Sequence, residues 1–232
     1  MKRPQKTLRR LVLLACFLGG TGIAAGETKI LKRANWKARP AKESEEVGAR
    51  VEKELIKRGP AVYLTVHHSE TPQRTIPFAE RLRKHQELMW HYTIDSERNG
   101  KKITTHVILR DTPYHFIIDS TGEVAEGREL RFAAYSNTEY LTPIDQHITI
   151  VLEGDFDKTQ PTDAQITSLI GLLADLATAY NIKLENIDYH QRVVKKQMEK
   201  DGSVSYGTSC PGKNLINRFE EIKAELSKRG IK

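Results

Sequence analysis

Hydrophobic residues along the chain fall into short continuous runs and into stretches with helical periodicity. Residues 61–67 are a mostly apolar run, which is typical of a buried strand, and residues 147–153 predict another strand. Residues 114–118 and Val124 flank an Asp-Ser-Thr-Gly segment at 119–122, and this pattern predicts a β-hairpin. These runs predict the strands of one sheet.

The clearest helix is predicted over residues 163–180. Thr162 and Gln165 form a capping box before it, and apolar residues recur every three or four positions along it. Further helices are predicted over residues 43–57, 78–92 and 215–228. Because strands interleave with helices, the pattern predicts an α/β fold, a single domain with a central mixed β-sheet flanked by helices.

The first 26 residues have the pattern of an export signal. Five basic residues precede position 11, an apolar stretch follows over 11–25, and small residues stand at 24–26. The apolar stretch is shorter than the ~20 residues of a membrane span, so we interpret residues 1–26 as a cleaved signal peptide and an uncleaved anchor as the alternative. Lipoprotein anchoring at Cys16 is less favoured because apolar residues continue past it. We expect a periplasmic or secreted protein without stable membrane insertion.

Removal of the signal changes the charge of the protein. The full chain of 232 residues carries a net charge of +7, and subtracting the five basic residues of the signal leaves about +2. Such a small excess does not indicate nucleic acid as a partner. Beyond the signal, residues 27–60 are predicted to form a polar, partly helical segment, and residues 61–232 the main domain.

The cysteine count singles out one thiol. The chain has two cysteines, Cys16 and Cys210, and cleavage of the signal would leave Cys210 alone. An exported protein with one cysteine forms no intramolecular disulfide, although its compartment would permit one. A lone thiol there favours a metal ligand or a nucleophile, and a small buried apolar residue is the alternative.

Two histidines join Cys210 as candidate metal ligands. His67 ends a predicted buried strand, and His190 follows a short mixed run. Two imidazoles and one thiolate suit one Zn²⁺ ion and leave a fourth tetrahedral position for water. Spacing alone does not select these two from the eight histidines of the chain, and a buried strand-end histidine remains the alternative for His67.

Several ordered motifs resemble one enzyme family. They are a Trp-x-Ala-Arg-Pro segment at 36–40, Val-His-His-Ser at 66–69, a Tyr-to-Glu-Gly-Arg hairpin at 114–128, a core strand at 148–154, Tyr-His at 189–190 and Thr-Ser-Cys-Pro-Gly at 208–212. Together the chain resembles the type 2 N-acetylmuramoyl-L-alanine amidases, a family that includes peptidoglycan recognition proteins and phage amidase-type lysozymes. The resemblance covers residues 32–228.

The resemblance implies a function and a set of site residues. It implies a zinc amidase domain that hydrolyses the bond between muramic acid and L-alanine in peptidoglycan or muropeptides, with zinc held by His67, His190 and Cys210. It places Tyr114 beside the zinc and Thr208 at a position that contacts the substrate. The alternatives are a non-catalytic peptidoglycan-binding module and a hydrolase with Cys210 as nucleophile. The oligomeric state remains open.

The chain also departs from the family pattern. Some members carry a catalytic Glu on the core strand, where this chain has Val151, and many carry a His where this chain has Tyr135. Strand alternation directs His68 away from His67, so we expect His68 outside the ligand set. The stretch 195–206 is longer than usual and is predicted to be an exposed loop, with a basic lip beside the site as the alternative.

Overall fold

A computed structural model describes residues 28–40, 51–52, 57–72, 75–90, 92–98, 101–109, 111–136, 144–201 and 208–232. The strands are β1 (Ile30–Leu31), β2 (Val51–Glu52), β3 (Tyr63–His68), β4 (Tyr92–Arg98), β5 (Lys101–Ile108), β6 (Phe116–Ile118), β7 (Val124–Glu126), β8 (His147–Leu152) and β9 (Ile187–Tyr189). The helices are α1 (Phe78–Trp90), α2 (Asp163–Tyr180), α3 (His190–Asp201), α4 (Lys213–Ile216) and α5 (Phe219–Lys228). In these ranges, no helix combines the length and the apolar character that crossing a membrane requires.

Six strands form one sheet in the order β1-β7-β6-β8-β3-β9. Strands β6, β8, β3 and β9 run parallel, whereas β7 is antiparallel to β6. The central strands β3 and β8 are buried almost throughout, which explains their apolar sequences, since parallel strands are covered on both faces. The predicted single α/β domain with a mixed sheet flanked by helices is confirmed.

Different elements cover the two faces of this sheet. On one face, Val66 belongs to the main core, which helices α2 and α5 complete. On the other face, Ile117 packs with helix α1 and with the fully buried Trp36. Because side chains alternate along a strand, His67 points to the α1 side and His68 to the α2 side.

Part of the predicted N-terminal segment 27–60 packs into the domain. Strand β1 pairs in parallel with β7, and the indole Nε1–H of Trp36 donates to the carbonyl oxygen of Glu126 over 2.8 Å. The signal predicted over residues 1–26 lies outside the described residues, as does most of the helix predicted over 43–57. Where that helix should continue, residues 51 and 52 form strand β2 instead, so the helix prediction is wrong there.

The remaining helices agree with the sequence pattern to different degrees. Helix α1 ends at Trp90, close to its predicted end, and α2 has the predicted bounds. The capping box is present, because the Thr162 hydroxyl oxygen accepts the N–H of Gln165 and the Gln165 side chain accepts the N–H of Thr162. The helix predicted over 215–228 is wrong in one respect, because the chain forms two helices, α4 and α5.

Helix α3 and the strands β4 and β5 were not predicted either. The exposed loop expected over residues 195–206 is wrong up to residue 201, because this part continues helix α3; residues 202–207 lie outside the described ranges. Lys195, Lys196 and their neighbours favour helix by intrinsic propensity, so their polarity did not indicate a loop. Strands β4 and β5 form an antiparallel pair that continues a second sheet with β2. Their largely polar sequences lack the apolar runs by which β3, β6 and β8 were predicted.

The parallel strands determine where a site can form. Strands β3, β8, β6 and β9 point the same way, so their carboxyl ends meet at one edge of the sheet. His67 is the next-to-last residue of β3, and His190 follows β9 directly. Val66 lies opposite Tyr189 in the register of these two strands, which places His67 and His190 side by side at that edge.

Candidate metal centre

Three elements bring the predicted ligands together. The side chain of His67 comes from β3, that of His190 from the first residue of α3, and that of Cys210 from the loop before α4. Their donor atoms all lie within 4.8 Å of one another, and all three residues are buried. The rings of His67 and His190 are 4.7 Å apart, centroid to centroid.

The donor geometry fits a metal ion. The Cys210 Sγ lies 3.6 Å from the Nδ1 of His67. Two zinc ligands with bond lengths of about 2.0 and 2.3 Å, separated by a tetrahedral angle, stand about 3.5 Å apart. The arrangement therefore fits a zinc ion.

The electrostatics of the cluster also suit a cation. Burial lowers the pKa of His67 well below its usual value, and the neighbouring His190, His147 and His68 lower it further, so the imidazole is a neutral donor. Burial raises the pKa of the Cys210 thiol to about 12, although the backbone N–H of His68 acts in the opposite direction. A buried thiolate needs a positive partner, and a divalent cation between these residues would supply it.

Tyr114 stands beside the first ligand. Its ring centroid lies 5.2 Å from that of His67, and the two ring planes are tilted by 53°. The backbone of Tyr114 is fixed by two hydrogen bonds to its carbonyl oxygen, one from the Thr112 hydroxyl at 3.0 Å and one from the Arg128 backbone N–H at 2.7 Å. The Tyr114 ring is thus a direct neighbour of the His67 ring, at the place where the prediction puts it.

Thr208 lies on the same loop as Cys210. Its hydroxyl oxygen accepts the backbone N–H of Cys210 over 3.1 Å, so the hydroxyl proton can be donated to another acceptor. The carbonyl oxygen of Thr208 accepts a hydrogen bond from the side-chain amide of Gln191. The structure thus brings together the five residues predicted for the site.

His68, Val151 and Tyr135 were predicted to lie outside the ligand set or to replace family residues. His68 points to the opposite face from His67, and its Nδ1 accepts the backbone N–H of Phe156. Val151 is paired with His67 in the register of β3 and β8, so this strand places no carboxylate beside the first ligand. Tyr135 packs in a small cluster and stacks with the Arg128 guanidinium at 5.2 Å.

Sequence reasoning missed Gln191 and Asp157, which contact the loop of Cys210. Gln191 follows a ligand directly but has no pattern that sets it apart from an ordinary helix residue. Asp157 follows the Gly-Asp sequence that ends β8, where an acidic residue is typical of a turn. Only their contacts in the folded chain identify them.

Comparisons with known proteins agree with the geometry. The family model described as N-acetylmuramoyl-L-alanine amidase matches residues 57–213. Among curated proteins, no match was found.

The fold resembles solved peptidoglycan recognition proteins. Drosophila PGRP-SA has a TM-score of 0.58 at 19% identity, covering 83% of this chain and 91% of that one. Drosophila PGRP-LB has 0.52 at 22% identity, covering 83% and 92%. Peptidoglycan recognition protein LE in complex with tracheal cytotoxin, a monomeric diaminopimelic acid-type peptidoglycan, has 0.56 at 18% identity, covering 83% and 92%. At these identities the similarity shows a common fold.

Proposed function

Because the chain belongs to the N-acetylmuramoyl-L-alanine amidase family, we propose that it is a zinc-dependent amidase acting on peptidoglycan or its muropeptides. The bond cleaved joins the lactyl group of muramic acid to L-alanine. The observation that carries this proposal is the buried cluster of His67, His190 and Cys210. A protein that only binds peptidoglycan has no need for three converging metal donors.

One Zn²⁺ ion would be held by His67, His190 and Cys210. It would supply Lewis-acid chemistry, polarising the scissile carbonyl and making water nucleophilic near neutral pH. The protein contributes neutral imidazoles, since burial lowers the pKa of His67, and a thiol that ionises on metal binding.

Two residues would act on the substrate. Tyr114, beside His67, would orient the attacking water or donate a hydrogen bond to the developing oxyanion. Thr208 would hold the substrate carbonyl through its hydroxyl proton, because the oxygen of that hydroxyl already accepts the N–H of Cys210. Removing one such donor typically costs about 100-fold or more in kcat.

The test uses the protein without residues 1–26 and purified murein sacculi. Mass spectrometry of the digest should show free stem peptides that begin with L-alanine, and elemental analysis should find one zinc per chain. Chelation should abolish the release and added zinc should restore it. Activity that survives complete metal removal but is lost in a Cys210→Ser variant would instead favour a thiol hydrolase.

A non-catalytic binding module is the second candidate. It is favoured by one observation, the structural similarity to a recognition protein solved with tracheal cytotoxin. A turbidity assay on the same sacculi separates the two. Binding to sacculi without clearing and without peptide release, by zinc-loaded protein, would support the module and reject the amidase.

We also propose that the protein acts outside the cytoplasm, after removal of residues 1–26. The basic start, the short apolar stretch and the small residues before position 27 support this proposal, and peptidoglycan is an extracytoplasmic substrate. The mass of the protein recovered from the periplasm or medium should correspond to a chain that begins near residue 27. Full-length protein in the membrane fraction would contradict it.

A further inference from the structure

Cys210 is the ligand with the least support from regular structure. His67 lies in a central strand and His190 begins a helix, whereas Cys210 lies in the loop 208–212. A metal site binds tightly when its donors are already in place, because ordering a loop on binding costs free energy. The contacts of this loop therefore bear on the affinity of the site.

The loop 155–157 holds one side of the Cys210 loop. The Asp157 carboxylate accepts the backbone N–H of Lys213 over 3.1 Å and a hydrogen bond from the Ser209 side chain, and both interactions lower the pKa of Asp157. Gly212 packs directly on the same segment: with φ at 86°, an added Cβ would stand 2.7 Å from the backbone nitrogen of Asp157. The two loops are in backbone contact.

The loop 155–157 is in turn attached to the strand of the first ligand. The backbone N–H of Phe156 donates to the Nδ1 of His68, over 3.2 Å. The Nε2 of His68 lies 3.4 Å from a carboxylate oxygen of Glu70. His68 is the chain neighbour of His67, and Phe156 is the chain neighbour of Asp157. The hydrogen bond from Phe156 to His68 therefore connects the strand of His67 to the segment that contacts the Cys210 loop.

Gln191 holds the other side of the Cys210 loop. Its backbone N–H donates to the carbonyl oxygen of Cys210 over 2.8 Å. Its side-chain amide donates to the carbonyl oxygen of Thr208 over 2.9 Å. Gln191 is also the chain neighbour of His190, so its hydrogen bonds hold the Cys210 loop next to His190.

We infer that Asp157 and Gln191 are positioning residues that hold Cys210 in ligand geometry from two sides without touching the metal. The inference rests on the proposed zinc site. Groups that bond a metal ligand directly typically change metal affinity 10- to 100-fold when they are removed. The Asp157 and Gln191 side chains bond residues close to Cys210 in the chain, so the lower end of that range applies. We expect about a 10-fold weaker zinc Kd for the loss of either side chain.

Three variants test the inference. Asp157→Ala removes the acceptor, whereas Asp157→Asn keeps an acceptor oxygen and should bind zinc within about twofold of the wild type. Gln191→Met keeps the length and helix propensity of the side chain but removes the donor. Glu185→Ala is the matched control, because it removes an exposed carboxylate at the opposite end of β9 and should leave the Kd unchanged.

The zinc Kd is measured by competition with a chromophoric chelator, and the thiolate-to-metal charge-transfer absorption of the Co²⁺ form reports on Cys210 itself. We expect both Asp157→Ala and Gln191→Met to bind more weakly and to lose charge-transfer intensity, with metal-free melting temperatures close to wild type. If the wild type binds no zinc, the proposed function fails. If it binds and these two variants match it, or if Asp157→Asn loses as much as Asp157→Ala, the positioning roles are refuted.

Discussion

The backbone N–H of Arg128 donates a hydrogen bond to the carbonyl oxygen of Tyr114, over 2.7 Å. The guanidinium of the same arginine is buried and donates to the carbonyl oxygens of Thr112 and Leu109, each over 2.8 Å. One residue thus holds the segment that leads into the hairpin at the point where Tyr114 faces His67. The first prediction concerns this arginine.

Arg128→Leu should lower the free energy of unfolding by about 3–5 kcal/mol, because the buried Asp111 loses a cationic neighbour and two carbonyl groups lose their donors. Urea unfolding measures the change. Arg131→Leu is the matched control: this exposed arginine pairs with Glu129 at the surface, so its loss should cost no more than about 1 kcal/mol. Equal effects of the two substitutions would contradict the prediction.

Tyr114→Phe and Thr208→Val should each reduce kcat on muropeptides by about 100-fold, since each removes one donor to the developing charge. Neither residue is a proposed ligand, so zinc content at saturating zinc should remain at one per chain. Thr208→Val also removes the acceptor of the Cys210 N–H and should weaken the zinc Kd. Tyr189→Phe serves as control, because Tyr189 packs edge-on against Phe219 in the core on the other face of the sheet. A loss of zinc in step with the loss of rate would assign these residues to metal binding instead.

Zinc should stabilise the fold as well as supply chemistry. A ligand that binds only the native state adds about 2.7 kcal/mol at a free concentration of 100 times its Kd, which corresponds to roughly 5–10 °C in melting temperature for a chain of this size. Calorimetry with and without a chelator measures the shift. His67→Ala should melt at the same temperature under both conditions; a chelator effect that persists in this variant would place the zinc elsewhere.

Stability should fall as the solution becomes acidic. Burial lowers the pKa of His147 to about 4 and that of His115 to about 3. In the unfolded chain the pKa of each histidine is about 6.5. Below pH 6.5 the unfolded chain therefore binds protons that the folded chain does not bind. Each histidine then removes about 1.4 kcal/mol of stability per pH unit, and this loss begins at the unfolded pKa and ends at the folded one.

His147→Gln isolates one of these contributions. Its free energy of unfolding, measured in urea on metal-free protein, should depend less steeply on pH between 6.5 and 5 than that of the wild type. At pH 8 the two proteins should differ by a constant amount that reflects the altered contacts. These include the Thr65 hydroxyl, 2.8 Å from the Nδ1 of His147, and the stacked ring of Tyr63. Parallel pH profiles would contradict the prediction, because they would show that His147 binds its proton equally in the folded and unfolded states.

The sequence by itself determined helix α2 and strands β3 and β8, because their signals lie within a few neighbouring residues. The capping box and the apolar periodicity defined α2 at both ends, because helix boundaries depend on neighbouring residues. The apolar runs defined β3 and β8, since strands covered on both faces need apolar residues throughout. Alternation along β3 separated His67 from His68. The polar β4–β5 pair and the second half of α3 were missed, because a polar sequence by itself does not distinguish a loop from a strand or a helix.

The candidate metal centre was decided by the tertiary structure. His67, His190 and Cys210 are far apart in the chain, and no spacing rule selects two of the eight histidines; family resemblance was needed to name them. Their convergence follows from the parallel pairing of β3 with β9 and from the contacts that hold the Cys210 loop. No sequence pattern identifies Asp157 and Gln191 as positioning residues, because their hydrogen bonds depend on which backbone groups lie nearby in the folded chain.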